Sequence, residues 1–261
     1  MSEFDSLLRA VLAKPNDDEL RIAYADAIVQ SDPDRAEIIK LQITLSRWRK
    51  AAQRPPGWAD AHRRAQILWD RHRTEWSHDV AKLAWVRYPA FKRGFVSQAL
   101  VSAREFLVHG AELLARAPIC YLDVDGLKPV ADAFFQSPLL EQLTALGIWR
   151  NDLEDAQLQA LASSPHLGNL RWLDASHNRI GRDGLTALCQ TSNLPHLAYF
   201  NFAENAAPDP TPKIGGHDAL TNEVLDLDIP ELARELEQKY GKKAWLSPAF
   251  RPDWPPDVDG V

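Results

Sequence analysis

The sequence predicts an α/β protein: an N-terminal helical cap module, then a short solenoid of parallel strands with a helix in each unit, then a C-terminal cap. Three observations predict it. Nonapeptides beginning at Leu143, Leu170 and Leu197 share one apolar pattern and recur every 27 residues. The region before them repeats its apolar residues at helical spacing. The region after Asn205 loses the pattern and becomes rich in proline. The expected boundaries are 1–95, 96–206 and 207–261.

The array is the clearest part. "LTALGIWRN", "LRWLDASHN" and "LAYFNFAEN" each read L-x-x-(L/F)-x-(A/I/F)-x-x-N, and a weaker copy without the Asn, "ICYLDVDGL", starts at Ile119. Leu143, Leu146 and Ile148 alternate inward from a short strand. Asn151 suits the turn that follows, since its amide bonds backbone groups left open at a strand end. "DAQLQALASS" (155–164) and "RDGLTALCQT" (182–191) return as helices, with Leu158 and Leu161, and Leu185 and Leu188, on one face. No unit buries its own apolar side, so stacking must make the core. These units resemble the longer, ribonuclease-inhibitor-like form of the leucine-rich repeat.

The front segment reads as helices. Phe4, Leu7, Leu8, Val11 and Leu12 share a face after a cap at Ser2, and Pro15 stops the helix. Leu20, Ala23, Tyr24, Ala27 and Ile28 mark a second helix. A third opens with Asp32 as N-cap and Pro33 at the first turn, with Ile38, Leu41, Leu45 and Trp48 on one face. "RPPG" (54–57) breaks the chain before a longer helix. The residues Asp17, Asp18, Arg21, Tyr24, Ala25 and Asp26, followed by Asp32, Pro33, Arg35, Ala36, Glu37, Ile39, Leu41 and Gln42, resemble the bacterial repeat-companion domain. "AIV" departs from that family's usual Trp-Leu pair after Asp26. "FKRGFV" (91–96) is similar to the family's link into its repeats. The resemblance implies an architecture of helical module plus repeats and carries no catalytic role.

At the other end, "PDPTPKIGGHD" reads as loop, "PELARELEQKYG" (230–241) as a short capping helix, and "SPAFRPDWPPDVDG" as an extended tail.

Composition narrows the function. The chain of 261 residues is 45% hydrophobic and carries a net charge of −6, with two cysteines, Cys120 and Cys189. No disulfide framework follows from two cysteines, and a reducing compartment is expected. "MSEFDSLLRAVL" has no long apolar run, so neither a secretory signal nor a membrane span is expected, and the expected location is the cytoplasm. The charge is divided: residues 47–93 hold 12 Lys/Arg against 4 Asp/Glu, the rest 18 against 32.

No nucleophile elbow, phosphate-binding glycine loop, dinucleotide fingerprint or zincin helix is present. His72, Glu75 and His78 lack a third ligand at matching spacing and read as a solvated edge. Asp32, Asp34 and Glu37 lack the glycine of a calcium loop and read as helix capping. The cysteines read as buried thiols. No catalytic residue, metal or cofactor is expected.

Two surfaces remain. The strand positions opposite the leucines bring Tyr121, Asp123, Asp125, Trp149, Trp172, Asp174, Tyr199 and Asn201 to the concave side. This aromatic and acidic patch, centred on Trp172, is the expected contact for a protein with an exposed basic or apolar element, in an adaptor or inhibitor role. A tail that folds back over Trp149 and Trp172 is the competing reading. The second surface is Arg47, Arg49, Arg63, Arg64, Arg71 and Arg73, interleaved with tryptophans, which suits nucleic acid or another anionic surface. Amphipathic helices with Trp inside and Arg outside are the simpler reading of the same stretch.

Overall fold

The computed structural model describes residues 3–49, 55–208, 210, 213–217, 224–228 and 230–246. The expected cap at Ser2 and the tail beyond Leu246 lie outside them. No helix among the described residues is long and apolar enough to cross a membrane. The fold is mixed α/β, and six strands form an open, mostly parallel sheet in sequence order. The chain divides into two compact units, residues 1–99 with 111–120 and residues 100–110 with 121–253.

The first unit begins with helices α1 (Glu3–Ala13), α2 (Asp18–Ile28), α3 (Pro33–Arg49), α4 (Trp58–Trp76) and α5 (His78–Ala81). Asp17 caps α2 by accepting from Glu19 N–H and Leu20 N–H. Asp32 caps α3 by accepting from Arg35 N–H at 3.0 Å. Gly57 starts α4 in the left-handed region (φ 87°). Strands β1 (Val86–Lys92) and β2 (Phe95–Ser102) follow, joined by Arg93 and Gly94. Both turn residues have positive φ, 46° and 82°, the geometry that matches the twist of a hairpin.

That turn organises the unit. Arg21, fully buried, donates from Nε and Nη2 to Pro15 O and from Nη1 to Arg93 O. Its guanidinium lies 5.1 Å from the centre of the Phe95 ring, and Arg35 lies 5.0 Å from it. Arg93 pairs with Asp18 at 2.9 Å, and Gly94 N–H donates to Gln42 Oε1. Tyr24 packs on Phe95 at 5.5 Å. Val11, Tyr24, Ala25, Ile28, Ala36, Ile39, Ile43 and Phe95 form the core here. The buried face of α3 is therefore Ala36, Ile39, Gln42 and Ile43 together with Ile38 and Leu45. Leu41 and Trp48, expected there, are only half-buried, and Phe4 on α1 is exposed. The close approach of the turn selects this face: a Cβ on Gly94 would stand 1.9 Å from Ile39 Cγ1.

The second unit contains most of α6 (Ala103–Arg116), then β3 (Tyr121–Asp125), α7 (Ala131–Phe135), β4 (Ala145–Gly147), α8 (Asp155–Ala162), β5 (Trp172–Asp174), α9 (Arg182–Gln190) and β6 (Tyr199–Asn201). β3 to β6 pair in parallel, each residue against its counterpart in the next period, 24 residues on from β3 to β4 and 27 from β4 to β5 and from β5 to β6. Leu122, Leu146, Leu173 and Phe200 stand side by side. All four are buried, as are Leu158, Leu161, Leu185 and Leu188 on the returning helices.

Asparagines at one position of the period, buried at Asn151 and Asn178 and half-buried at Asn205, join successive periods. Asn178 donates to Ile148 O and Ala175 O, and its Oδ1 accepts from Asn151 N–H and Leu153 N–H. Asn151 donates to Val124 O and accepts from Leu127 N–H. Asn205 donates to Ala175 O and accepts from Ile180 N–H. The residue before each, Arg150, His177 and Glu204, has φ of 53°, 54° and 58°, and Gly126 occupies the same place in the first period. On the helical side, the hydroxyls of Ser164 and Thr191 donate back to Phe135 O and Ala162 O.

After Asn205, strands β7 (Lys213–His217) and β8 (Val224–Asp228) pair antiparallel; β7 lies within the stretch "PDPTPKIGGHD" expected to be loop, and backbone pairing tolerates its glycines. Helix α10 (Glu231–Tyr240) runs from Pro230 to Gly241 as expected, and a 3-10 turn at Ala244–Leu246 buries Trp245 against Phe200, ring centres 5.2 Å apart.

Two substitutions test these interiors. Gly94→Ala adds a clashing Cβ at a left-handed residue and should cost about 2 kcal/mol or more, read as a lower denaturation midpoint. Leu173→Asp places a carboxylate in the row of buried leucines and should cost roughly 4 kcal/mol or more. Unchanged melting of either variant contradicts the packing described.

Candidate interaction surface

The sheet positions opposite the leucines form three rows across β3–β6. The first row is Tyr121, Ala145, Trp172 and Tyr199, the second Asp123, Gly147, Asp174 and Asn201. The third, just beyond the strands, is Asp125, Trp149, Ser176 and Ala203 by the same period.

Ala145 is small, so the Tyr121 ring reaches across it to meet Trp172 edge-on at 5.4 Å. Tyr199 stacks on the other side of Trp172, rings 1° from parallel and 5.6 Å apart. Trp172 is 1% exposed and Tyr121 is buried as well. The expectation of an exposed anchor at Trp172 is thus corrected: the indole is buried, with Tyr121 and Tyr199 against it on either side. Tyr199 is half-buried.

The second row is a hydrogen-bonded lattice. Tyr121 donates its hydroxyl to Asp123 at 2.8 Å. Burial, with the Asp123 carboxylate beside it, holds the Tyr121 phenol far above the usual tyrosine range, so it stays protonated. Asp174, buried, accepts at Oδ1 from Ser176 N–H and Oγ–H and at Oδ2 from Asn201 Nδ2. Gly147 makes room for this lattice, since a Cβ there would stand 2.1 Å from Asp123 Oδ1. Asp123, Asp125 and Asn201 are half-buried.

The third row holds the exposed aromatic. Trp149 is 40% exposed, and the Arg150 guanidinium lies 5.5 Å from its ring centre. Its row neighbour Ser176 is small and turned to Asp174, so the indole stands proud of the row. The period of the sequence assigns Trp149 to this side. The sequence did not single out Arg150 or Ser176, although both sit at fixed positions of the period.

The basic stretch is organised differently. Arg64 makes a two-pronged pair with Glu37, at 2.8 and 2.6 Å. Arg71 bonds Asp34 at 3.2 Å, Arg47 bonds Glu19 at 2.8 Å, and Arg63 lies 3.6 Å from Asp60. Arg73 is exposed on α4, and Arg49 ends α3 with a side chain outside the described ones. Of the tryptophans, Trp69 and Trp76 stack on Phe91 at 4.6 and 5.7 Å, and Trp58 stacks on His62. Trp76 is buried, Trp58 and Trp69 are half-buried, and most of these arginines meet carboxylates of their own unit. Charge counting does not show this, because the partners of Arg47, Arg64 and Arg71 lie 27 to 37 residues away.

His72 bonds Asp34 at 2.8 Å and Glu75 at 3.1 Å. Among the described residues, no three or more His, Cys, Asp or Glu are placed to hold a metal ion. Cys120 and Cys189 are buried, and burial pushes the Cys189 thiol up to about 11, which leaves it unreactive near neutral pH. No protein-family model and no curated protein matches the sequence.

The two central tryptophans make the contrast testable. Trp172→Ala should cost about 3–5 kcal/mol of stability, the range for a buried large side chain. Trp149→Ala should stay within about 0.5 kcal/mol of the parent, as an exposed substitution does. Equal losses in the two chemical-denaturation midpoints contradict the burial assigned to them.

Proposed function

We propose that the chain is a non-enzymatic protein-interaction module. Residues 119–205 form a short leucine-rich-repeat array of 27-residue units, and the helical N-terminal module is of the companion type found beside bacterial repeat arrays. It serves as an adaptor, or as an inhibiting or sequestering subunit of a multi-protein system. The observation that carries the reading is the shared 27-residue period of strand register and asparagine bonds. A period of this kind builds a rigid surface from side chains that are free to vary.

The partner docks on the sheet side, anchored by Trp149. Arg150 lies over its ring, Asp125, Asp123, Tyr199 and Asn201 are the other partly exposed positions of the same rows, and Tyr121, Trp172 and Asp174 are buried among them. Aromatic anchors ringed by polar groups concentrate binding energy, and the acidic side chains favour a partner with a basic or apolar exposed element.

The test starts with the full chain as bait in lysate of its native host, identification of what it retains, and purification of that protein. Trp149→Ala should then weaken the measured affinity by roughly 30-fold, equivalent to about 2 kcal/mol. Arg63→Glu with Arg73→Glu should leave affinity within a few-fold. If the arginine pair abolishes binding and Trp149→Ala does not, the contact lies on α4. Salt-dependent retention of nucleic acid by the parent would then identify an anionic partner.

A further inference from the structure

The Asp34–His72–Glu75 cluster is used by neither surface, and its geometry makes a specific demand on protons. His72 is on α4, one turn before its end. Its Nε2 lies 2.8 Å from Asp34 Oδ2 on α3, and its Nδ1 lies 3.1 Å from Glu75 Oε2 on α4. A carboxylate only accepts. A neutral imidazole donates from one nitrogen and presents a lone pair at the other. Both contacts are therefore satisfied together only when the ring carries two protons. We propose that His72, as an imidazolium, is a proton-dependent clamp between the first turn of α3 and the last turns of α4.

The surrounding groups support the charged form. Asp34 also accepts from Arg71 and lies 3.8 Å from Arg64, which is itself held by Glu37. On its own helix the His72 ring stacks on an uncharged partner, Trp76, at 4.6 Å and 17° from parallel, and Trp76 stacks in turn on Phe91 of β1. On α5, Asp79 is engaged by Lys82, and His78 is exposed. Partial burial works against a charge on His72, but the bonds to Asp34 and Glu75 outweigh it, and the pKa is raised above the ordinary imidazole value. The bond from His72 lowers the Asp34 carboxyl in return.

When pH rises through the His72 midpoint, the proton on Nδ1 leaves to solvent. The Nε2–H stays with Asp34, which is the more enclosed carboxylate, its side chain 28% exposed against 72% for Glu75. The Nδ1 lone pair then faces the Glu75 carboxylate, and that side chain swings into water. A raised histidine contributes stability that is fully present below its unfolded value, about 6.5, and lost as pH rises through the folded one. The lowered Asp34 contributes stability present above its own unfolded value, about 3.9, and lost as pH falls through the folded one. The clamp is closed between those limits.

The test is a pH titration of the full chain with the imidazole carbons followed by NMR, His72→Gln identifying the resonance. The expected midpoint lies above 6.5, and both Asp34→Asn and Glu75→Gln lower it. Indole emission, quenched by a stacked imidazolium, should rise with the same midpoint and lose that step in His72→Gln. A midpoint at or below 6.5, or one that neither substitution moves, overturns the clamp. Glu75 is exposed, so Glu75→Gln decides the question even if Asp34→Asn fails to fold.

Discussion

Strands of three residues satisfy few backbone groups with one another, so the groups at their ends decide whether such an array holds. Here the side chains of Asn151, Asn178 and Asn205 supply both donors and acceptors to those ends. An amide is the side chain that offers two N–H donors and a carbonyl from one rigid plane. Each one ties its own turn to the turn of the preceding period. With the turns locked in step, the leucines of successive strands fall side by side, and the rows on the opposite side fall into register as well. The stacked aromatic row and the carboxylate lattice follow from that register.

The first unit solves a different problem with a charged side chain. Arg21 is removed from water entirely, which is unfavourable unless its hydrogens find acceptors. Two backbone carbonyls accept them, one at the end of α1 and one in the β1–β2 turn, and the Phe95 ring covers the guanidinium face. The arginine thus fixes helices and hairpin in one geometry. Asp18, Tyr24, Arg35, Ile39 and Gln42 all meet the same turn, which explains why residues scattered over 25 positions of sequence form one pattern.

Periodicity was legible in the sequence; coverage was not. The positions of β4, β5 and β6, the returning helices and the limits of α10 follow from the spacing of leucines, asparagines, Pro230 and Gly241. Which side of a strand faces the leucines also follows. Whether a residue on the other side meets solvent does not, because that depends on its neighbours across the sheet. Trp172 is buried, with the rings of Tyr121 and Tyr199 against it, whereas Trp149 lies beside a serine and is 40% exposed. Similarly, α3 buries residues of both its apolar stripes, Ile39 and Ile43 with Ile38 and Leu45, and the approach of Gly94 to Ile39 does not follow from their spacing. Counting charges in 47–93 found a basic segment but not the carboxylates on α2 and α3 that answer it.

The asparagine bonds also bear on how the molecule ages. Deamidation requires the next backbone nitrogen to attack the side-chain carbonyl carbon. It leaves a carboxylate, which has no hydrogens to give to the carbonyls that Nδ2 now serves. At Asn178 the attacking nitrogen belongs to Arg179, whose N–H is held by Leu153 O at 2.7 Å, and the amide itself is buried. Asn205 is only half-buried. Chemical damage should therefore enter the array at Asn205 and reach the inner asparagines last.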